Sequence, residues 1–155
     1  MNTSFMDHSA DSQPIAFDVA DPFVIERTVV ADDVDVLEHL NNAVVVQWME
    51  RAAYAHSCHV GYDQQAYEKL GATFVVRKHE IEYLVQAYEG DALLHATWPG
   101  SMERFTATRR HQIVRVSDGK TIVRAHTTWI FIDAKTSRPK RMPAQMIAAF
   151  RPRQG

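Results

Sequence analysis

The sequence lacks several features that would place it in a specialised class of protein. It has one cysteine, Cys58, so no disulfide forms within the chain, and we expect a reducing, cytoplasmic location. No apolar run reaches the length of a membrane span, and the N-terminus has no signal-peptide pattern, so membrane insertion is not expected. A formal net charge of −2 argues against a dedicated nucleic-acid binder.

Length and composition point to one globular domain. The 155 residues are 46% hydrophobic and 23% charged, which is ordinary for a chain with its own core. Residues 1–22 mix Ser, Asp, Pro and Asn without periodicity, and we expect them to form a loose leader. The folded domain is predicted over residues 23–150, and residues 151–155 form a C-terminal tail.

One long apolar segment predicts a buried helix. Residues 43–60 are mostly apolar and stop at Gly61, and their length favours a helix over a strand. Asn41 or Asn42 can cap its start. Because apolar residues fall on several faces, we expect the rest of the chain to wrap this helix, and we expect Cys58 to be a small buried filler.

Five segments have the composition of strands, and a last one that of a short helix. The strand-like segments cover residues 23–30, 73–85, 91–98, 105–116 and 120–132, and residues 143–150 form the short helix. Apolar residues of both parities indicate a bulge near Arg77–Lys78. Asp118-Gly119 is a strong hairpin signal. The outline is an α+β domain in which a curved antiparallel sheet packs on a central helix.

Alternation predicts which side chains of two strands share an apolar face. In both strands the apolar residues recur at every second position, as on one side of a pleated strand. They are Ala92, Leu94, Ala96 and Trp98 in the earlier strand, and Val123, Ala125, Trp129 and Phe131 in the later one.

A polar loop directly before the helix is the most informative part of the sequence. Residues 33–43 read DVDVLEHLNNA, so the carboxylate of Asp35 lies a few residues before the helix. The start of a helix presents unpaired backbone N–H groups and partial positive charge, which polarise a carbonyl oxygen and stabilise an oxyanion. A carboxylate that reaches the same carbonyl carbon, or a water beside it, supplies the other part that acyl transfer needs.

This loop resembles the D-x-D-x-x-x-H-x-N-N signature of hot-dog acyl-CoA thioesterases, the 4-hydroxybenzoyl-CoA thioesterase group. The likeness continues in WMERA at 48–52, FVVRK at 74–78, IEY at 81–83, DAKTSRP at 133–139 and MP at 142–143. These segments are similar to bacterial acyl-CoA thioester hydrolases associated with the Tol–Pal envelope system. The resemblance covers residues 23–150 and implies the hot-dog fold, a curved antiparallel sheet wrapped around a long central helix.

The resemblance implies roles for the matching residues. The second Asp of the signature, Asp35, is the catalytic carboxylate, and the backbone N–H near Asn42 polarises the substrate carbonyl. His39 takes a supporting role, and Asn41 and Ala43 are expected to contact the substrate at the helix start. The group often has Gly after the second Asp, or an aromatic residue at the Asn pair, so this chain favours a fatty or other small acyl-CoA over a hydroxybenzoyl substrate. No metal and no other cofactor is implied.

A basic cluster after the last strand is the candidate site for the nucleotide part of CoA. Arg138, Lys140 and Arg141 form it, and Arg138 matches a position that resembles a phosphate-contacting arginine of the group. Arg binds phosphate oxygens as a planar fork and Lys as a point charge. The alternative is a solvated basic turn. The resemblance also implies a homodimer or homotetramer with each site at a shared interface, and an acyl-carrier protein stays open as a partner.

Other residues have simpler interpretations, and other functions stay open. Glu50 corresponds to a second carboxylate in another branch of these enzymes, but a structural ion pair is its expected role. His56 and His59 lie three residues apart without a third ligand, so both are predicted to be structural. One alternative function is a hot-dog acyl-thioester dehydratase or hydratase. Another is a non-catalytic acyl-CoA or acyl-carrier-protein binding module.

Overall fold

A five-stranded antiparallel sheet and one long helix dominate the computed structural model, which describes residues 14–153. In chain order the elements are β1 (Phe23–Thr28), a 3-10 helix (Ala31–Asp33), α1 (Asn42–His59), α2 (Gln64–Leu70), β2 (Ala72–Tyr83), β3 (Ala92–Glu103), β4 (Thr106–Arg115), β5 (Thr121–Asp133) and α3 (Ala144–Phe150). The strand order is β1-β3-β4-β5-β2, so β1 and β2 are the two edges. The predicted α+β architecture is confirmed.

The helix α1 forms where the apolar segment predicted it. Asn41 is its N-cap, because the Oδ1 atom of this residue accepts a hydrogen bond from the Ala43 N–H at 2.9 Å. The helix ends shortly before Gly61, whose φ of +97° suits glycine. Val45 is 1% exposed and packs in the core with Trp48, so tertiary burial outweighs the low helix propensity of its β-branched side chain.

The sheet wraps α1 as predicted, but it covers only one side of the helix, so the expectation that α1 is buried on nearly all sides is wrong. The buried side carries Val45, Trp48, Met49, Ala52, Ala53, His56 and Ser57. The opposite side exposes Gln47, Glu50, Arg51, Tyr54 and Cys58. Cys58 is therefore an exposed thiol and not a buried filler. The remaining apolar residues of α1 are mainly small alanines and valines, which cost little when partly exposed and do not require a second layer of protein.

The even-numbered residues of β3 share a face, as predicted, and α1 packs against the opposite face, which carries Leu93 and His95. In β5 the predicted face is confirmed, because Val123, Ala125 and Phe131 are buried in the core. In β3 the alternation of apolar residues does not identify the face that packs against α1. Both faces are buried around Ala96, and a polar residue lies on the helix side.

The predicted bulge and hairpin are both present. The pairing of β2 with β5 shifts register between Val76 and Lys78, so Arg77 is the additional residue of a β-bulge. The β4–β5 turn has Gly119 at a φ of +67°, and Asp118 beside it binds the Arg115 guanidinium. None of the helices in residues 14–153 is both long and apolar enough to cross a membrane.

The end of the predicted leader lies against the sheet. The Asp18 carboxylate binds the Arg124 guanidinium on β5 at 2.8 and 3.0 Å. Arg153, from the predicted tail, donates to a backbone carbonyl in the same N-terminal segment at 2.7 Å. Ordered contacts therefore begin before the predicted boundary at residue 22, whereas residues 1–13 lie outside the described part of the chain.

Candidate active site

The loop before α1 is closed by backbone hydrogen bonds. The Asp35 N–H donates to the His39 carbonyl at 2.9 Å, and the Asn41 N–H donates to the Asp33 carbonyl at 2.8 Å. Glu38 completes the turn in the left-handed region, with a φ of +62°. These bonds tie the loop that carries Asp35 to the first turn of the helix.

The Asp35 carboxylate is held by the backbone of its own loop. Its Oδ1 atom accepts hydrogen bonds from the Leu37 N–H at 2.9 Å and from the His39 N–H at 3.3 Å. Both bonds use the same oxygen, and no donor in residues 14–153 bonds Oδ2. The side chain is half-buried. The carboxylate is thus oriented by the protein and keeps one oxygen free for chemistry.

The start of α1 offers one backbone donor. The Ala43 N–H is already bonded to the Asn41 side chain, and the Val44 N–H donates to the Asn41 carbonyl at 3.0 Å. The Asn42 N–H has no acceptor in residues 14–153 and belongs to an exposed residue. Of the predicted helix-start donors, Asn42 is therefore the one available to a ligand, whereas Asn41 acts as the helix cap and the Ala43 amide is occupied.

His39 contributes through its backbone and its packing. Its ring lies edge-on against Tyr88, with ring centroids 5.4 Å apart and an interplanar angle of 79°. In the described part of the chain its imidazole nitrogens have no hydrogen-bond partner, and His39 bonds Asp35 only through its backbone N–H and carbonyl. This placement fits the supporting role and does not make His39 a general base for Asp35.

Apolar side chains surround this loop at the surface. Val36 is 98% exposed and Leu37 is 69% exposed, and Leu84, Val85 and Tyr88 are also exposed nearby in the structure. Contiguous exposed apolar surface in a protein commonly marks a binding or association surface. The loop is thus suited to contact with another molecule.

The basic cluster lies far from Asp35 within one chain. Arg138, Lys140 and Arg141 are all exposed in the segment after β5, beside the start of β2. The other end of β2 reaches the helix start, where the Tyr83 hydroxyl donates to the Asn42 carbonyl at 3.4 Å. At about 3.3 Å per residue, the two ends of this strand are separated by on the order of 35 Å. One chain therefore does not bring the predicted catalytic and CoA-binding residues together.

Comparison with known proteins decides the family. A family model for the Thioesterase-like superfamily matches residues 29–150. The chain belongs to this superfamily. The predicted enzyme class, a thioester hydrolase, is confirmed by this membership. Among curated proteins, none matches the chain.

Solved structures share the fold of this thioesterase at low identity. A 1,4-dihydroxy-2-naphthoyl-CoA thioesterase from Synechocystis has a TM-score of 0.76 at 18% identity, over 84% of this chain and 96% of that one. A hypothetical protein from Staphylococcus aureus, solved in complex with CoA, has a TM-score of 0.78 at 15% identity, over 87% of each chain. A probable thioesterase from Escherichia coli has a TM-score of 0.71 at 20% identity, over 81% of this chain and 94% of that one. These likenesses confirm the hot-dog fold.

Between α1 and the sheet, this thioesterase contains a buried chain of polar side chains that the sequence analysis missed. Arg27 donates from Nε to His95 Nδ1 at 3.2 Å, and His95 Nε2 lies 3.0 Å from His111 Nδ1. Burial lowers the pKa of His95 to about 3 and that of His111 well below its usual value, so both rings are neutral at pH 7. His111 Nε2 then carries a proton without an acceptor in the described residues.

A second buried polar group lies further along α1. Arg109 on β4 donates from Nη1 to Thr97 Oγ1 and from Nη2 to His56 Nδ1, both at 3.1 Å. Burial lowers the pKa of His56 to about 4, so this ring is neutral and accepts the bond. The sequence did contain a signal for this burial. Arg109 and His111 lie four and two positions before the core residue Ile113 on β4, so all three side chains are on the same face of the strand.

Three further residues of α1 for which the sequence predicted a role are Glu50, His56 and His59. The carboxylate of Glu50 is exposed and forms no ion pair within residues 14–153, so its expected structural ion pair is wrong. His56 is structural, as predicted, since it bonds Arg109 and packs against Phe150. His59 packs against the Phe23 ring at 5.3 Å. Over residues 14–153, no three side chains converge as metal ligands.

Proposed function

We propose that this thioesterase hydrolyses acyl-CoA, with Asp35 as the reacting carboxylate and the Asn42 N–H as the donor that polarises the thioester carbonyl. One observation supports this assignment above the others. The Asp35 carboxylate is held through one oxygen, on a loop tied to the start of a helix whose Asn42 N–H is free. A preorganised donor at the carbonyl oxygen stabilises the tetrahedral intermediate, which is the demanding step for a thioester.

Two routes are compatible with this arrangement. In the first, Asp35 attacks the carbonyl carbon, the C–S bond breaks, CoA leaves as the thiolate, and water then hydrolyses the resulting anhydride. In the second, Asp35 takes a proton from a water, whose oxygen attacks the carbonyl carbon before the C–S bond breaks. Thiols ionise near a pKa of ~8.5, so the leaving group needs little acid assistance in either route.

We further propose that the active unit is a homodimer with a shared site. The basic cluster lies beside the start of the edge strand β2, and the start of α1 lies beside the other end of this strand. If two copies pair their β2 edges antiparallel around a twofold axis, the Asp35 loop of one chain lies beside the basic cluster of its partner. The exposed apolar surface around Val36 and the exposed side of α1 support such an association. A cytoplasmic location and an acyl-carrier protein as partner remain predictions.

Turnover of a panel of acyl-CoA thioesters by wild type and Asp35→Asn tests the assignment. The Asn side chain keeps an acceptor for the Leu37 and His39 N–H groups, so the loop is retained. We expect turnover to fall on the order of 10²-fold or more with little change in binding. Asp32→Asn is the matched control, because Asp32 is an exposed neighbour in the 3-10 helix and should behave as wild type.

The same panel separates the alternative functions. Near-normal hydrolysis by Asp35→Asn would overturn the role of this residue. Binding without turnover in wild type would indicate a non-catalytic acyl-CoA binding module, and hydration or dehydration without release of thiol would indicate the related hydratase. Label found on Asp35 after single turnover in ¹⁸O-labelled water would show the anhydride route, since the label enters Asp35 only when water attacks the Asp35 carbonyl of an anhydride.

A further inference from the structure

An apolar cavity lies beside the second half of α1. Its volume is about 360 Å³, within the range of small-molecule sites. It is bordered by α1, α2, α3 and strands β2 to β5, and Phe74, Met102 and Phe150 are part of its wall. Glu50 is at its exposed mouth. The apolar wall is suited to a hydrocarbon chain. The polar groups in the wall determine which other chemical groups of a ligand can bind there.

Arg109 lines this cavity as a buried cation without a counterion. It is 6% exposed, and its bonding partners, Thr97 and His56, are both neutral. Burial lowers the pKa of Arg109 to about 10, which leaves it charged at pH 7. Within residues 14–153 no carboxylate lies at salt-bridge distance from it. Buried charges in proteins are normally paired, so this one lacks a partner that an anionic ligand would supply.

Trp129 gives an independent indication at the same cavity. Its indole Nε1–H is buried and has no acceptor in the described residues. Trp129 and Arg109 both line the cavity. A buried indole N–H usually finds a hydrogen-bond partner, because leaving it without one costs free energy. A cavity lined by a cation without a counterion and by a tryptophan whose N–H lacks an acceptor is complementary to an oxygen anion.

The geometry points to an acyl group that ends in a carboxylate: we propose that the cavity takes the far end of an ω-carboxyacyl thioester, with its carboxylate on Arg109 and Trp129. This inference rests on the proposed function. Within one chain, Ala53 on the cavity wall lies 11 residues beyond Asn42, about 16 Å along the helix, which is longer than a six-carbon acyl chain, so the reacting Asp35 loop would have to come from the partner chain. The cavity also includes Phe74 at the start of β2, so the dimer proposed above would place it beside the Asp35 loop of the partner chain.

Matched pairs of substrates test this inference directly. Wild type should hydrolyse adipyl-CoA with a kcat/KM on the order of 10- to 100-fold above that for hexanoyl-CoA, the range expected for a hydrogen-bonded charge. Arg109→Met should abolish or reverse this preference by losing activity on adipyl-CoA. Arg110→Met is the matched control, since Arg110 is the exposed neighbour on the opposite face of β4 and should keep the wild-type ratio.

Two further measurements keep the test decisive. Trp129→Phe keeps the ring and removes the N–H, and it should lower the preference several-fold even if Arg109→Met does not fold. Free adipate should raise the melting temperature of wild type but not of Trp129→Phe, and hexanoate should do neither. Equal kcat/KM for both thioesters in wild type, with no adipate effect, would overturn the inference. Failure to hydrolyse any thioester would instead overturn the proposed function. The melting temperature with adipate would then still test whether the cavity binds a carboxylate.

Discussion

The two ends of α1 differ in almost every physical respect. At its N-terminal end, Asp35 and the free Asn42 N–H lie at the surface and are oriented by backbone hydrogen bonds. In its C-terminal half, Arg109 and neutral histidines are enclosed between helix and sheet. The first end is open to water and to a reacting group, and the second is closed and charged. In our proposal, reaction and recognition are therefore separated along one helix about 27 Å long.

This separation explains why one chain is an incomplete enzyme in our account. The cavity and the basic cluster lie near the start of β2, and the Asp35 loop lies near its end. A twofold axis that pairs two β2 edges would join the open end of one helix to the closed half of the other.

The closed half should make the fold sensitive to acid, which is the largest effect we expect. The folded pKa values of His56, about 4, and His95, about 3, lie below the unfolded value of ~6.5. The unfolded chain therefore binds more protons, and the free energy of unfolding decreases as the pH falls from ~6.5 towards 4. Each buried histidine should contribute about 1.4 kcal/mol per pH unit in this window. Urea unfolding at pH 7.5, 6.5 and 5.5 measures it.

A half-buried histidine on the outer face of the sheet provides the control for this prediction. His126 lies in β5 on the outer face of the sheet beside Glu80, so His126→Gln should leave the acid sensitivity nearly unchanged. The carboxylates of Asp118 and Asp133 have lowered pKa values and lose their contribution below pH ~4, outside the window. A free energy of unfolding that is constant between pH 7.5 and 5.5 would show that the buried rings are not neutral in the fold.

Much of the open end was predictable from the sequence. The cap at Asn41, the apolar run of α1 and the polar loop around Asp35 are local signals, and the structure places all three in one continuous segment. The hairpin at Asp118-Gly119 and the bulge at Arg77 are also local. Local signals suffice here because caps and turns depend on residues only a few positions apart.

The closed half was not predictable in the same way. A charged or polar residue such as Arg109 or His95 in a strand ordinarily indicates the solvent face, yet both are buried here. Their burial depends on partners up to 68 positions away, such as Arg27 for His95. The helix α2 was missed because it is short and largely polar, with its start set by the Asp63 cap. The exposed side of α1, including Cys58, follows from where the sheet ends and not from helix periodicity.

The basic cluster should affect binding alone, which is the smallest effect we expect. Replacing Arg138 and Lys140 by Gln should raise KM for acyl-CoA several-fold, with kcat nearly unchanged, because in our proposal the two charges contact phosphates remote from the reacting carbon. Raised salt should have the same effect through screening. Lys135→Gln, a change in the same exposed segment, is the control. An acyl-pantetheine lacks these phosphates. If the substitutions impaired hydrolysis of acyl-CoA and of acyl-pantetheine equally, the cluster would support the fold and not CoA binding.

Complementation between two inactive chains tests the shared site most directly. Asp35→Asn removes the reacting carboxylate, and Ala53→Trp fills the cavity beside α1. Heterodimers of these chains, isolated through two different affinity tags, should recover about half of the wild-type turnover per dimer, because one of their two sites then contains neither substitution. Heterodimers no more active than the two parents would contradict the account, since Asp35 and the cavity would then serve the same site within one chain.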